Sequence, residues 1–360
     1  MSLSAFSFGP SLTVLTLLVA LTAEGQINTW SCRAEGGYVL PHREEMNALV
    51  TGHARGLGLR KGTLGKEGWR SNWSRHGDAW QGVELGWLYG GSTSLGHVIS
   101  ALWLVELPLS SSSHAELGAG LGWATKPYDI RENPLSIALG THLNAGLRLA
   151  LSKELCRFDS YIFSMSAGLS HFSNGAVQLP NLGINNIHVG LSFERMADLP
   201  DRNEVGQLNT PPEVDAMIAK WNGIMAIRAG VRDVPPAGDP LHPVSSFMVG
   251  AERRWNMRWG CLIALDLTYN QSLRAISFDP LSVNDRIQFA SGIGNQWHFG
   301  RAHLAMVHGW VWTNPDHILG QRHLHTAFAY EAGELFFIEL GLRSFRLRAD
   351  YTFLGIRFTL

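Results

Sequence analysis

Two residues of one short segment, His171 and Ser173, have the types and the spacing for nucleophilic chemistry. A serine hydroxyl attacks a carbonyl carbon only when a neighbouring base takes its proton. An imidazole two positions away on an extended chain stands on the same face, about 6.8 Å along the strand at roughly 3.4 Å per residue. The base in turn needs an orienter for its other ring nitrogen. Asn185, two residues before Ile187, opens the next extended segment and falls on the corresponding face. Between these positions lie Asn174-Gly175 and Pro180-Asn181, turn-forming pairs that put the three groups at a strand end. Backbone N–H groups around Asn174 and Gly175, with the Asn181 amide, are donors for the oxyanion formed when Ser173 attacks an ester. His-x-Ser is a common tripeptide, and a structural His or Ser at an interface is the competing reading.

The element carrying His171 and Ser173 alternates in polarity. Tyr161, Phe163, Met165, Ala167 and Leu169 share one face, and Ser160, Ser164, Ser166, Gly168 and Ser170 the other. Continuing by twos from Leu169 puts His171 and Ser173 on the apolar side, where polar groups are costly and call for an interfacial position or a function. The same alternation recurs over residues 141–151, 187–194, 336–343 and 352–360, with Asn144, Arg148, His188 and Glu339 in mid-strand opposite the apolar face, as a wet lumen requires. After the first 25 residues no stretch approaches the roughly 18 apolar residues of a membrane helix. The fold expected is therefore all-β: an antiparallel transmembrane β-barrel of about 14 strands, with 12 to 16 admissible, forming a single domain over residues 26–360. The last strand, with Thr352, Leu354, Ile356, Phe358 and Leu360 on one face, resembles the C-terminal signature of outer-membrane barrels, with Leu360 where an aromatic is usual.

The apolar run Leu12–Leu21 and the small residues near Ala23 and Gly25 read as a cleaved export signal over residues 1–25, although no Lys or Arg precedes Arg33. A composition of 39 Gly, 13 Trp and 16% charged residues suits strands that are apolar outside, small inside and aromatic at the membrane interfaces. The net charge of -1 and the lack of basic runs argue against nucleic acid as a partner. Cys32, Cys156 and Cys261 lack metal-ligand spacing and read as unpaired small hydrophobes. His323 and His325 share a strand face, but no third ligand is evident, so no metal site is assigned. Trp310 and Trp312 read as an interface belt. Glu194 and Asp266 fall on lumenal faces, away from His171. The polar stretch Met196–Trp221 reads as a loop insertion, with a short helix over Pro211–Lys220 capped by Thr210.

The run HFSNGAVQLPNLGIN (His171–Asn185), with KPYD (Lys126–Asp129) and NPLSIALGTHLNA (Asn133–Ala145) upstream, resembles the PagL-type lipid A deacylase and acyloxyacyl hydrolase family of outer-membrane barrels over roughly residues 115–193. The resemblance implies a metal-free and cofactor-free serine esterase in the outer membrane of a Gram-negative bacterium, removing an acyl chain from lipid A or another outer-leaflet lipid. Carried over, His171 is the base, Ser173 the nucleophile, and Asn174 and Asn181 oxyanion or support groups. Asn185 stands where the better-known PagL-type enzymes carry a Glu, and in this respect the chain resembles the outer-membrane phospholipase A family. PagL-type barrels have eight strands, and this chain is about twice their size. A phospholipase A and a non-enzymatic pore or scaffold are the rival readings, and homodimerisation is left open.

Overall fold

A computed structural model describes residues 27–65, 68–73, 76–197, 220–237, 240–277, 282–313, 320–346 and 348–360. The export signal, and all but the last residue of the helix expected over Pro211–Lys220, lie outside these residues. The first eight strands are β1 (Ile27–Val39), β2 (Ala54–Gly65), β3 (Ala79–Tyr89), β4 (His97–Pro108), β5 (Ser113–Ala124), β6 (Leu143–Phe158), β7 (Tyr161–Ser173) and β8 (Ile184–Met196). The next eight are β9 (Trp221–Arg232), β10 (His242–Arg254), β11 (Trp259–Asn270), β12 (Ile287–Phe299), β13 (Ala302–Val311), β14 (Arg322–Glu331), β15 (Phe336–Phe345) and β16 (Arg348–Thr359). All neighbours are antiparallel. β8 returns to β1, with Cys32 opposite both Leu59 and Phe193, and β16 returns to β9.

The expectation of one barrel with about 14 strands is corrected by this connectivity: among the described residues, sixteen strands form two closed barrels of eight. Polarity alternation assigns each side chain to a face but does not say which strand closes the seam. Eight strands enclose a lumen that side chains fill, and both lumens are filled with paired charge. In the first, Arg33 bonds Glu116 at 2.9 Å and Glu35 at 3.0 Å, while Arg148 also pairs with Glu116 and Glu35. In the second, Arg228 bonds Glu339 and Arg343 bonds Asp350, each at 2.9 Å. Removing charges from water is tolerable here because each finds an opposite charge within hydrogen-bond reach.

The outward faces are apolar. On β6, Leu147, Leu149 and Leu151 are about half exposed or more, whereas Asn144 and Arg148 between and beside them are buried inside. His323 and His325 point into the second lumen with ring centroids 5.4 Å apart. Among the described residues, no group of three His, Cys, Asp or Glu side chains is placed to hold a metal.

The barrels touch at both ends. At one end Trp73 stacks on Phe299 at 5.3 Å and donates its indole N–H to His298 O at 3.1 Å. At the other, the segment after β7 meets the loop after β9 and the outer faces of β15 and β16. Above the first lumen at this second end, Met46, Leu49, Ala138, Leu139, Phe172 and Ile184 form one buried cluster. The loops between β1 and β2 and between β5 and β6 are thereby folded down onto the ends of β7 and β8, which fixes the surroundings of His171 and Asn185.

Candidate active site

Ser173 is the last residue of β7 and Asn185 the second of β8, so both lie at the rim of the first barrel. The β7–β8 register sets His171 directly opposite Asn185, while the β6–β7 register sets Ser173 opposite Ala145. Phe172 and Ser170 are buried within, which turns His171 and Ser173 outward beside Leu147. His171 Nδ1–H donates to Asn185 Oδ1 at 2.6 Å, and Ser173 Oγ–H donates to His171 Nε2 at 3.0 Å. In this tautomer the Nε2 lone pair is free to take the serine proton, the arrangement a serine nucleophile requires.

One contributor was invisible in the sequence. His42, in the loop after β1, accepts a hydrogen bond from Asn185 Nδ2 at 3.0 Å. An amide held at its nitrogen end presents its oxygen end to His171, so His42 determines which way Asn185 faces. Nothing local in the sequence around His42 signals a contact with a residue 143 positions away.

The segment joining β7 to β8 is tied largely to itself and its surroundings. Asn174 N–H donates to Asn181 Oδ1 at 3.0 Å, and Asn174 Nδ2 donates to Gln178 O at 2.7 Å. Asn174 and Asn181 are thus brought together, but the Asn174 N–H expected to face an oxyanion is engaged by Asn181. Among the described residues, the Gly175 N–H and the Asn181 amide nitrogen donate to no protein acceptor. Gly175 has φ +64°, in the left-handed region open to glycine, and a Cβ there would fall on Thr352 Oγ. Glu194 and Asp266 are lumenal, in the first and second barrels respectively, and neither bonds His171.

The geometry is a serine hydroxyl, an imidazole and a carboxamide joined by hydrogen bonds on a barrel's outer wall. A sequence model described as lipid A 3-O-deacylase (PagL) matches residues 55–194, and one described as the acyloxyacyl hydrolase C-terminal domain matches residues 219–360. The chain belongs to the PagL lipid A 3-O-deacylase family. Membership makes it a hydrolase of lipid acyl esters. The PagL match takes in β2 to β8, and with them His171, Ser173 and Asn185, whereas the C-terminal match takes in the whole second barrel. No curated protein matches the sequence. Among solved structures, an engineered protein described for asymmetric conductivity and a triple mutant of the Rhodopseudomonas blastica porin each share 9% identity, with 92% of this chain and 99% of theirs covered and a TM-score of 0.19. Scores this low carry no argument.

Proposed function

We propose that this PagL-family protein is an outer-membrane serine esterase that removes an ester-linked acyl chain from lipid A. The observation that carries the reading is the unbroken chain of hydrogen bonds from Ser173 through His171 to Asn185, on a wall whose other side chains are apolar. A lipid in the surrounding leaflet reaches this wall without leaving the membrane. His171 Nε2 takes the Ser173 proton as Oγ attacks the ester carbonyl carbon. The Gly175 N–H and the Asn181 amide nitrogen are the donors for the resulting oxyanion. The imidazolium then protonates the departing alcohol oxygen, leaving the acyl group on Ser173. Water, deprotonated by His171, attacks this second ester and releases the fatty acid, so one water is consumed per acyl chain.

The test is incubation of the purified full-length protein with lipid A, and separately with a glycerophospholipid, with products read by mass spectrometry. A lipid A species lighter by one acyl chain, with the matching fatty acid, is expected. Hydrolysis of the phospholipid alone would move the assignment to a phospholipase A, and hydrolysis of neither would end it.

Asn185 gives a finer test. Its amide supplies a hydrogen bond rather than a charge, worth about 1.4 kcal/mol, so Asn185→Ala is expected to lower kcat roughly tenfold. Asn185→Asp should match or exceed the parent, because a carboxylate accepts the same Nδ1–H and stabilises the imidazolium better. Steady-state kinetics on a short-chain ester in micelles reads both variants. Equal activity in Asn185→Ala would remove Asn185 from the mechanism.

A further inference from the structure

We infer that Asp233, which belongs to the second barrel, is a positioning residue for the hydrolytic site of the first. The inference rests on the serine-esterase reading above and gives the C-terminal barrel a part in the reaction. Asp233 follows β9 and is 3% exposed. It grips the segment after Ser173 at two points: its Oδ2 accepts the Leu179 N–H at 2.7 Å, and its own N–H donates to Ala176 O at 2.9 Å. Thr352 of β16 adds a third link by donating its hydroxyl to Gly175 O at 3.0 Å.

These bonds act where the segment is least able to hold its own shape. Gly175 and the next residue, Ala176, both take left-handed backbone angles, φ +64° and +66°. For alanine that conformation is strained and persists only when the surroundings over-determine it. The bonds within the segment, from Val177 N–H to Asn174 O at 3.3 Å and from the Asn174 amide to Gln178 O, leave the Gly175 and Ala176 carbonyls untouched. Both carbonyls are instead held from the second barrel. A peptide unit is planar, so fixing its carbonyl fixes the N–H on its other side. Pinning the Gly175 and Ala176 carbonyls therefore fixes the Ala176 and Val177 N–H groups, and the Val177 N–H in turn bonds Asn174 O at 3.3 Å, the carbonyl of the very unit that carries the Gly175 N–H. The second barrel serves as a brace for the oxyanion donors.

The experiment compares full-length Asp233→Ala, Asp233→Asn and Thr352→Val with Ser173→Ala as reference. Readouts are kcat and KM on a micellar ester, the rate at which a fluorophosphonate labels Ser173, and folding by heat-modifiable gel mobility. Asp233→Ala is expected to lower kcat about tenfold to thirtyfold with KM within about twofold, and to slow labelling in parallel. Asp233→Asn, which keeps an oxygen for the Leu179 N–H, should recover to within about threefold of the parent. Should Asp233→Ala fail to fold, Thr352→Val carries the test, with an expected loss of about threefold to tenfold in kcat. Unchanged kcat in a folded Asp233→Ala or, failing that, in Thr352→Val overturns the inference. So does an Asp233→Asn as impaired as Asp233→Ala. If Ser173→Ala keeps its activity, the esterase reading itself has failed, whatever Asp233 does.

Discussion

Ser173→Ala is expected to fold as the parent does and to lower kcat by roughly 10⁵-fold or more, since removing the nucleophile of a serine hydrolase leaves only binding and oxyanion stabilisation. The fold should be indifferent to the change. Ser173 ends its strand, is half-buried, and among the described residues its hydroxyl bonds only His171 Nε2, which lies at the rim where it can find another partner once the hydroxyl is gone. The β6–β7 ladder depends on backbone groups that alanine supplies equally. Two measurements settle the result: lipid A from cells carrying the variant should remain fully acylated by mass spectrometry, and the purified variant should resist fluorophosphonate labelling. Normal deacylation by a folded Ser173→Ala would end the serine mechanism. Loss of deacylation with normal labelling elsewhere on the chain would point to a different nucleophile.

How much of this was readable in the sequence divides along a physical line. The period of two along Tyr161–Ser173 was sufficient to turn His171 and Ser173 to the outer face, and the same count from Ile187 brought Asn185 to the neighbouring strand. The register that pairs His171 with Asn185 agrees with both. Alternation is a local property, however, and closure is not. The seam that pairs Thr29 with Met196 joins residues 167 positions apart, and nothing in either strand distinguishes a return to β1 from continuation into a larger barrel. The polar stretch Met196–Trp221, read as an insertion, is where the chain passes from one barrel to the next. The clue was in the length, since the resemblance implied eight strands and the chain was long enough for two such sets. His42 and Asp233 were missed for the same reason as the seam. Each is an ordinary loop residue whose meaning comes from a partner on another element, 143 positions away for His42 and 54 for Asp233.

Gly183 tests whether the imidazole must stay where it is, and Gly183→Ala is expected to lower kcat about a hundredfold, the scale of loss from misplacing a catalytic group by an ångström. A Cβ added at Gly183 would lie 2.8 Å from His171 Cε1 and 3.6 Å from Nδ1. Something must shift, and the backbone of Gly183 is poorly placed to do so. Its N–H donates to Ala138 O at 2.8 Å, and the new Cβ would also stand 3.3 Å from Phe172 O, at the end of β7. The ring is therefore the part that moves. Cε1 lies between the two nitrogens, so pressure there displaces both and lengthens the bonds to Ser173 and Asn185 together. The φ of +82° adds left-handed strain of about 1–2 kcal/mol, which by itself would weaken the fold without touching the reaction. Gly320→Ala separates the two effects, because Gly320 has nearly the same φ, +83°, and among the described residues no heavy atom other than those of its chain neighbours lies within 4 Å of its added Cβ. It should keep the parent kcat while Gly183→Ala loses activity with little change in KM. If both variants turn over at the parent rate, the imidazole can be pushed aside at no cost, and the short hydrogen bonds around it are not what drives ester cleavage.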